Sequence, residues 1–411
     1  MWPAWLAEYD YELPDARIAR APVEPRDASR LLFLDRRSGA RRHHRFAELP
    51  DLLQPGDCLV VNETRVLRAR LFTRLERTGR RIEVLLSHPC ASEPAPALAP
   101  TQDDRESHLD DQSHVEKDPH LDDESHVEKD PHLDNELHGG KPHLDRERHL
   151  SSVAEPSDPA DWVAILGPAR RLQEGDLLRL EGGEGAFRVV ARIERERWRI
   201  RPQADPIAMM EAVGHLPIPP YLRRDDRDED RDWYQTVFAE RAGAIAAPTA
   251  GLHFTKPVLE RANASGIRLA RIVLHVGPGT FLPVRAATQD EHRVLPERYS
   301  ISEDAARFLR ETRAQGQRVV AVGTTVVRAL ETIARVSPVA LAGSGWTDLT
   351  IRPGHQFRAI QGLVTNFHLP RSSLLLLVSA FAGRQRILGA YREAIETGYR
   401  FYSYGDAMLI L

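Results

Sequence analysis

The 411-residue chain has only two cysteines, Cys58 and Cys90. Two thiols cannot build a disulfide framework, so the fold must rest on a packed core, and the count suits a reducing cytoplasm. No run of about 18 apolar residues occurs, so no helix is expected to span a membrane and no membrane partner is expected. The first residues, MWPAWLAEYDYELP, carry early acidic groups and no basic segment, which argues against a secretory signal. Also missing are the G-x-G-x-x-G turn, the P-loop and the G-x-S-x-G elbow. RNA-recognition-motif, KH and zinc-knuckle signatures are missing too. What remains is 42% hydrophobic and long enough for about two or three domains.

The net charge of −4 conceals an asymmetry. Residues 101–150 hold 16 acidic and 6 basic side chains, a balance of −10, so the remainder carries +6. A mildly basic remainder permits a nucleic-acid partner without requiring one. Within the acidic stretch SHVEKDPHLD occurs twice, at Ser113 and Ser125, and histidines recur every six residues from His108 to His138. Residues 90–159 have too few apolar groups to offset the entropy of ordering, so a disordered insertion is expected there. A solvated repeat is the plainer reading of this segment, and binding of zinc or nickel the sharper one.

Short strand-like runs at 57–61, 66–72, 81–86, 162–166, 176–180, 186–193 and 198–201 flank the insertion, separated by Gly, Pro or charged turns. Their spacing suggests a small β-barrel or sandwich in which the insertion is an overgrown loop. From residue 207 strands alternate with helices. Strands are expected at 245–247, 267–276, 319–322 and 363–365. Thr255 is expected to cap a helix over 257–266, Ser302 one reaching 314, and a further helix should begin near 326, with LLLLVSAFAG a buried helix. The fold class is therefore α/β (α+β overall). A main domain with a mostly parallel sheet, 1–64 and 206–411, is interrupted by a β-barrel domain over 65–205.

Polar groups concentrate where strands end, as they do at ligand sites of open α/β sheets. GAIAAPTAGLHFT and LHVGPGTFLPV bring together His253, Thr255, His275, Gly277, Gly279 and Thr280. Gly323-Thr324-Thr325, with Arg328 one turn later, can hold a phosphate or carboxylate at a helix N-terminus, or can simply supply a threonine cap. Asn366-Phe367-His368-Leu369-Pro370-Arg371-Ser372-Ser373 is denser than a cap requires: Asn366 can read a base edge and His368 can move a proton. His253, His275 and His292 invite a zinc reading, but lack His-Glu-x-x-His or Cys-x-x-Cys spacing, so polar contacts to an organic ligand are favoured and no metal is expected. Each can equally be a hydrogen-bonded structural histidine. Arg26, Asp27, Asn62, Thr64 and Arg65 lie in charged clusters beside strands. The arginines at 68, 70, 74, 77, 80 and 81 and at 195, 197, 199 and 201 can follow an RNA backbone or form a solvated β face.

Nine blocks in order, among them YELPDARIARAPVEPRDASRLL, PGDCLVVNETRVLRARL, GHLPIPPYLRR, YQTVFAERAGAIAAPTAGLHFT, VVAVGTTVVRALE, LVTNFHLPRSSLLLLVSAFAG and YRFYSYGDAMLIL, resemble the S-adenosylmethionine:tRNA ribosyltransferase-isomerases of queuosine biosynthesis. They cover nearly all the chain outside 90–159. The resemblance implies an α/β domain interrupted by a barrel, acting on S-adenosylmethionine as ribosyl donor with no metal. It further implies a tRNA with a GUN anticodon carrying 7-aminomethyl-7-deazaguanine, and a cytoplasmic monomer. Epoxyqueuosine, adenine and methionine would be the products. The reaction needs a base for the proton beside the sulfonium, a donor to departing adenine, and readers of the ribose hydroxyls. His253, His275 and His368 are the candidates for proton transfer. Glu297 and Asp406 are candidates for the ribose or the substrate amine, and Asn366 and Tyr404 for a base. Gly323, Thr324, Thr325 and Arg328 would take a phosphate or the methionine carboxylate.

Three positions depart from the family pattern: Leu295 where a second histidine is usual, Val326 where serine is usual, and Arg68 where proline is usual. They leave open a divergent relative with another acceptor. A non-catalytic tRNA-binding or metal-buffering protein is a separate class, as is an ordinary methyltransferase. Release of adenine separates them from the ribosyl-transfer reading.

Overall fold

A computed structural model of the chain describes residues 3–90, 160–194, 196–281, 283–337 and 340–411; the expected insertion therefore lies outside the described residues. The backbone of the main domain is a nine-stranded sheet in the order β15 (Gly343–Thr347), β13 (Glu297–Ile301), β12 (Arg268–Leu274), β3 (Cys58–Asn62), β14 (Val319–Val322), β16 (Gly362–Asn366), β17 (Ala407–Ile410), β1 (Arg30–Leu34) and β2 (Arg41–Arg45). The four strands from β12 to β16 are parallel to their neighbours, and β17 pairs in parallel with β1. The remaining pairings are antiparallel, so the sheet is mixed around a parallel centre.

The central strands are continuous apolar runs because both faces are covered. Period-two alternation sends Cys58, Val60, Val319, Ala321 and Leu363 into one core and Leu59, Val61, Val320, Val322 and Val364 into the other. The first core is closed by α4 (Glu303–Ala314), α5 (Thr324–Val336), α6 (Ser373–Ala382) and α7 (Arg384–Glu396). The second is closed by α3 (Lys256–Ala264) and a 3-10 segment over Phe46–Leu52. Caps set the boundaries. Thr255, Ser302 and Ser372 accept from the amides of Val258, Ala305 and Leu375, which begins α3, α4 and α6 where expected. Two further helices, α1 (Pro206–Val213) and the single turn α2 (Asp230–Trp233), lie between the barrel and the second half of the main domain.

The barrel is closed, in the order β10 (Arg197–Pro202), β7 (Trp162–Gly167), β6 (Arg81–Pro89), β5 (Arg70–Leu75), β8 (Leu177–Leu180) and β9 (Ala186–Arg192). It leaves the main sheet directly after β3. The chain returns through β11 (Arg241–Ala244), which pairs in parallel with β4 (Thr64–Val66). The barrel is thus spliced in at the carboxyl end of a central strand.

Three expectations are corrected. Residues 245–247 are not a strand: the amides of Ile245 and Ala246 both donate to the Val276 carbonyl, which turns the chain just past β11. The run 66–72 is two strands, because residues 67–69 break the ladder between β4 and β5. Helix α5 begins at Thr324 rather than near 326, since Gly323 at φ 97° is its N-cap and neither threonine is.

Candidate active site

One edge of the sheet gathers the polar candidates. The parallel strands end there at Asn62, at His275 just past β12, at Gly323 just past β14, and at Asn366. Antiparallel strands begin there, Glu297 opening β13 and Asp406 preceding β17. Residues almost 350 apart in sequence therefore share a rim as a consequence of strand direction alone.

On that rim lies a cavity of about 290 Å³. Its floor includes Ala246, Val276 and Phe367; its polar groups include Thr324, Thr325, Asn366 and His368. No side chain caps α5, so the first-turn amides of this 13-residue helix face the cavity region beside the two threonine hydroxyls. Tyr221 and Tyr402 line the same space with ring centroids 4.2 Å apart. Arg371, at φ 58°, also lines it, and its guanidinium pairs with Asp10.

Asn366 is held firmly. Its Oδ1 accepts from the Thr249 hydroxyl at 2.9 Å, and its Nδ2 donates to the Tyr402 carbonyl at 3.3 Å and to His253 Nε2 at 3.0 Å. Because Nε2 of His253 accepts, its ring proton sits on Nδ1 and is donated to Ser29 Oγ at 2.8 Å. His253 is buried one layer behind the cavity and stacked on Phe46 at 5.0 Å. Burial, with Arg400 and Arg26 nearby, lowers its pKa to about 3. In this structure both ring nitrogens of His253 are engaged and burial favours the neutral ring.

His368 differs. The Thr365 hydroxyl lies 2.8 Å from His368 Nε2. With Nε2 as the donor in that bond, the lone pair lies on Nδ1, and His368 is the one histidine lining the cavity among the described residues. Burial lowers its pKa to about 3 as well.

The other candidates are distributed around this centre. Glu297 and Arg328 form a buried pair at 2.6 Å beside a smaller cavity of about 60 Å³, which shares Thr324 and Thr325 with the first. Burial pushes the Glu297 carboxyl up, while Arg328 and the Gly277 amide, donating at 3.0 Å, pull it back. Arg328 also donates to the carbonyls of Leu295, Thr347 and Leu349, so its guanidinium clamps β13 to the 347–349 segment. In this structure its guanidinium is spent on those internal contacts. Gly279 lines the smaller cavity, and a Cβ there would meet Leu295 Cβ at 2.9 Å. The Thr280 side chain lies outside the described residues.

His292 is buried against Ser373 Oγ at 2.9 Å, with its pKa lowered to about 4 by burial and two arginines. His275 meets the Thr64 hydroxyl at 3.3 Å, and burial lowers its pKa too. Asp406 accepts from the amides of Arg30 and Arg400 at 2.8 and 2.7 Å, tying β1 to the C-terminal segment. Asn62 bridges to both backbone groups of Leu274. Asp27 accepts from Thr255 at 2.7 Å, and Arg26 reaches the carbonyls of Gln235 and Asp232. Tyr404 donates to buried Asp230 at 3.0 Å; Arg65 is exposed. None of these lines either cavity.

On the barrel, Arg70, Arg77, Arg81 and Arg201 pair with Glu83, Asp176, Glu181 and Asp161, which favours the solvated-face reading over a free phosphate track. Of the departures, Val326 is buried in the first core and Arg68 donates to the Glu211 carbonyl at 3.1 Å. Sequence reasoning missed Thr249, Tyr221, Tyr402 and Ser29. The only available signal was their place inside the blocks PTAGLHFT, PIPPYLRR, YRFYSYGD and PRDASRLL, because isolated hydroxyls and aromatics in loops carry no period.

A small, mostly apolar cavity at the carboxyl ends of parallel strands, rimmed by a few fixed polar groups, is the site of an α/β protein that handles an organic ligand. The sequence model described as "Queuosine biosynthesis protein" matches residues 6–410, and the chain belongs to that family. It is 43% identical over 412 residues to the S-adenosylmethionine:tRNA ribosyltransferase-isomerase of Moorella thermoacetica, with 99% of each chain covered. The protein of that name from Heliobacterium modesticaldum is 40% identical, again over 99% of each. A crystal structure of S-adenosylmethionine tRNA ribosyltransferase from Thermotoga maritima is 31% identical, covers 98% of this chain and 100% of that one, and has a TM-score of 0.48. No helix among the described residues is long and apolar enough to cross a membrane.

Proposed function

We propose that this chain is a tRNA-modifying transferase and isomerase that uses S-adenosylmethionine as substrate in queuosine biosynthesis. In the finer reading it moves the ribosyl part of S-adenosylmethionine to 7-aminomethyl-7-deazaguanine at the wobble position of a GUN-anticodon tRNA. The protein acts without a metal, as a cytoplasmic monomer. The observation that carries this reading is the cavity at the strand ends, where an uncapped helix N-terminus, a paired-tyrosine wall and a histidine with a free ring nitrogen face one small space.

The parts suit the reaction. The α5 amides and the Thr324 and Thr325 hydroxyls take the methionine carboxylate, an anion at the positive end of a helix. Tyr221 and Tyr402 supply an aromatic wall for a heterocycle. The sulfonium acidifies its 5′ methylene, and Nδ1 of His368 accepts that proton. Adenine leaves with the glycosidic electron pair and takes up a proton, the amine of the modified base bonds to the fragment and gives up a proton, and an oxygen of the fragment closes the epoxide as the carbon–sulfur bond breaks and its electron pair leaves with methionine. Asn366, fixed by Thr249 and His253, sets the geometry of the wall carrying His368.

The discriminating experiment incubates the protein with S-adenosylmethionine and tRNA carrying the aminomethyl-deazaguanine base. Free adenine is expected, together with a heavier anticodon nucleoside. S-adenosylhomocysteine in place of adenine would make the protein a methyltransferase, and tRNA binding without either product would make it a binder.

A further inference from the structure

A second, open basin of about 600 Å³ lies at the end of β15, lined by Arg293, Arg335, Arg352, Arg358 and His355 with Asp348 and Glu331. Four guanidinium groups face two carboxylates. The Glu331 carboxylate is taken up by the amides of Arg358 and Ala359 at 2.9–3.2 Å, with His355 Nε2 at 3.5 Å. Arg352 pairs with Asp290 at 3.5 Å and donates to the His292 carbonyl at 2.7 Å; its buried Nε has no hydrogen-bond partner among the described residues. Arg335 and Arg358 are exposed and no ion pair holds either one among the described residues. Another basin, of about 540 Å³, contains Arg70, Arg223 and Arg224, of which Arg70 and Arg224 pair with Glu83 and Asp230.

The basin neighbours the active cavity through shared lining residues. It shares Leu349 and Thr350 with the smaller cavity, which in turn shares Thr324, Thr325, Ser372 and Leu374 with the larger one. His292 bridges the same path, its carbonyl on Arg352 and its ring on Ser373 at the start of α6.

We propose that this basin is a phosphodiester-binding site that anchors the polynucleotide strand whose base enters the active cavity. The inference rests on tRNA being the substrate. Arg335 and Arg358, which pair with no carboxylate among the described residues, fit phosphate oxygens, which guanidinium groups can grip bidentately. An open basin suits a chain passing through, whereas an enclosed pocket would suit a small free anion. The position on the path to the cavity lets a strand bind at both places at once, which raises the local concentration of the base.

The test is tRNA affinity measured against salt for the wild type, for Arg335→Glu/Arg358→Glu, and for Arg335→Lys/Arg358→Lys. Each lost phosphate contact should reduce the log–log salt slope by roughly 0.7–0.9. The glutamate variant should therefore bind tRNA at least about tenfold more weakly with a shallower slope, and the lysine variant should retain most of both. S-adenosylmethionine affinity of the glutamate variant should equal that of the wild type, which also certifies its fold. Unchanged tRNA affinity and slope in that variant would overturn the proposal. So would saturable binding of inorganic phosphate that the glutamate variant loses while tRNA binding persists, since that marks a free-anion site. If the wild type binds tRNA but releases no adenine, the functional reading fails while the salt slopes still decide the basin.

Discussion

At the scale of single residues, the site is organised by what is already satisfied and what is left open. His253 and Asn366 spend their hydrogen-bonding groups on each other and on Ser29, Thr249 and Tyr402, whereas His368 lines the cavity with its Nε2 on Thr365. His368→Gln should therefore lower the rate of adenine release by about 10²-fold or more with little change in tRNA affinity, the usual loss for a removed proton acceptor. Equal turnover in single-turnover assays would remove His368 from the chemistry. Asn366→Ala strands the Thr249 hydroxyl and His253 Nε2, and should cost about 2–3 kcal/mol of stability, read from the urea midpoint. A pH dependence follows from the same burial. His253 and His368 titrate near 3 in the fold, against an ordinary 6.5 in the unfolded chain. Between those values only the unfolded chain binds the protons. Stability from these groups is therefore full above about pH 6.5 and is lost as pH falls toward 3, by at most about 1.4 kcal/mol per pH unit for each. His368→Gln should flatten the fall of the urea midpoint between pH 6.5 and pH 4.5. Asn366 and His368 were legible because five polar groups crowd one strand–helix junction. Their division of labour was not, since it depends on Thr249 and Ser29 arriving from elsewhere in the chain.

At the scale of elements, caps and glycines decide where the site can form. Helices α3 and α4 were legible from Thr255 and Ser302, whose hydroxyls do what such residues ordinarily do before an apolar-periodic run, and α6 from its apolar run, with Ser372 as its cap. Helix α5 was displaced by two residues in the reading because Gly323 takes the cap position, leaving both threonines free to line the cavity. Strands β1 and β17 gave no clear signal: a four- or five-residue apolar run between helical and charged segments has no period to distinguish it. Gly243 shows how tightly these elements meet. At φ 145° a Cβ would stand 2.4 Å from the His275 ring. Gly243→Ala must therefore displace that ring or the β11 backbone, and it should lower stability by about 1–3 kcal/mol. A thermal midpoint within a degree of wild type would show that the contact is slack.

At the scale of the whole molecule, the architecture follows from one interruption. A barrel is spliced in after β3, and the alternation of strands and helices resumes beyond it, which is why both the α/β class and the barrel could be read from strand spacing. The mixed flanks of the sheet could not, because strand direction is set by pairing across hundreds of residues. Pro89 pairs with Trp162, and the Cys90 amide donates to the Asp161 carbonyl at 2.8 Å, so the described residues flanking 91–159 lie side by side on adjacent barrel strands. Replacing residues 92–158 with a short glycine-rich hairpin loop should leave the thermal midpoint within a few degrees and adenine release within about twofold, since loop length costs little once the ends are fixed. A collapse of either would assign the insertion a part in folding or catalysis.

The measurement that bears most directly on the account is the product balance of a single turnover with S-adenosylmethionine and tRNA carrying the aminomethyl-deazaguanine base, resolved by mass spectrometry. The account predicts adenine, methionine and the ribosyl-extended nucleoside in equimolar amounts, all three falling together in His368→Gln. Adenine without a change in the nucleoside, or a modified nucleoside without adenine, would contradict it.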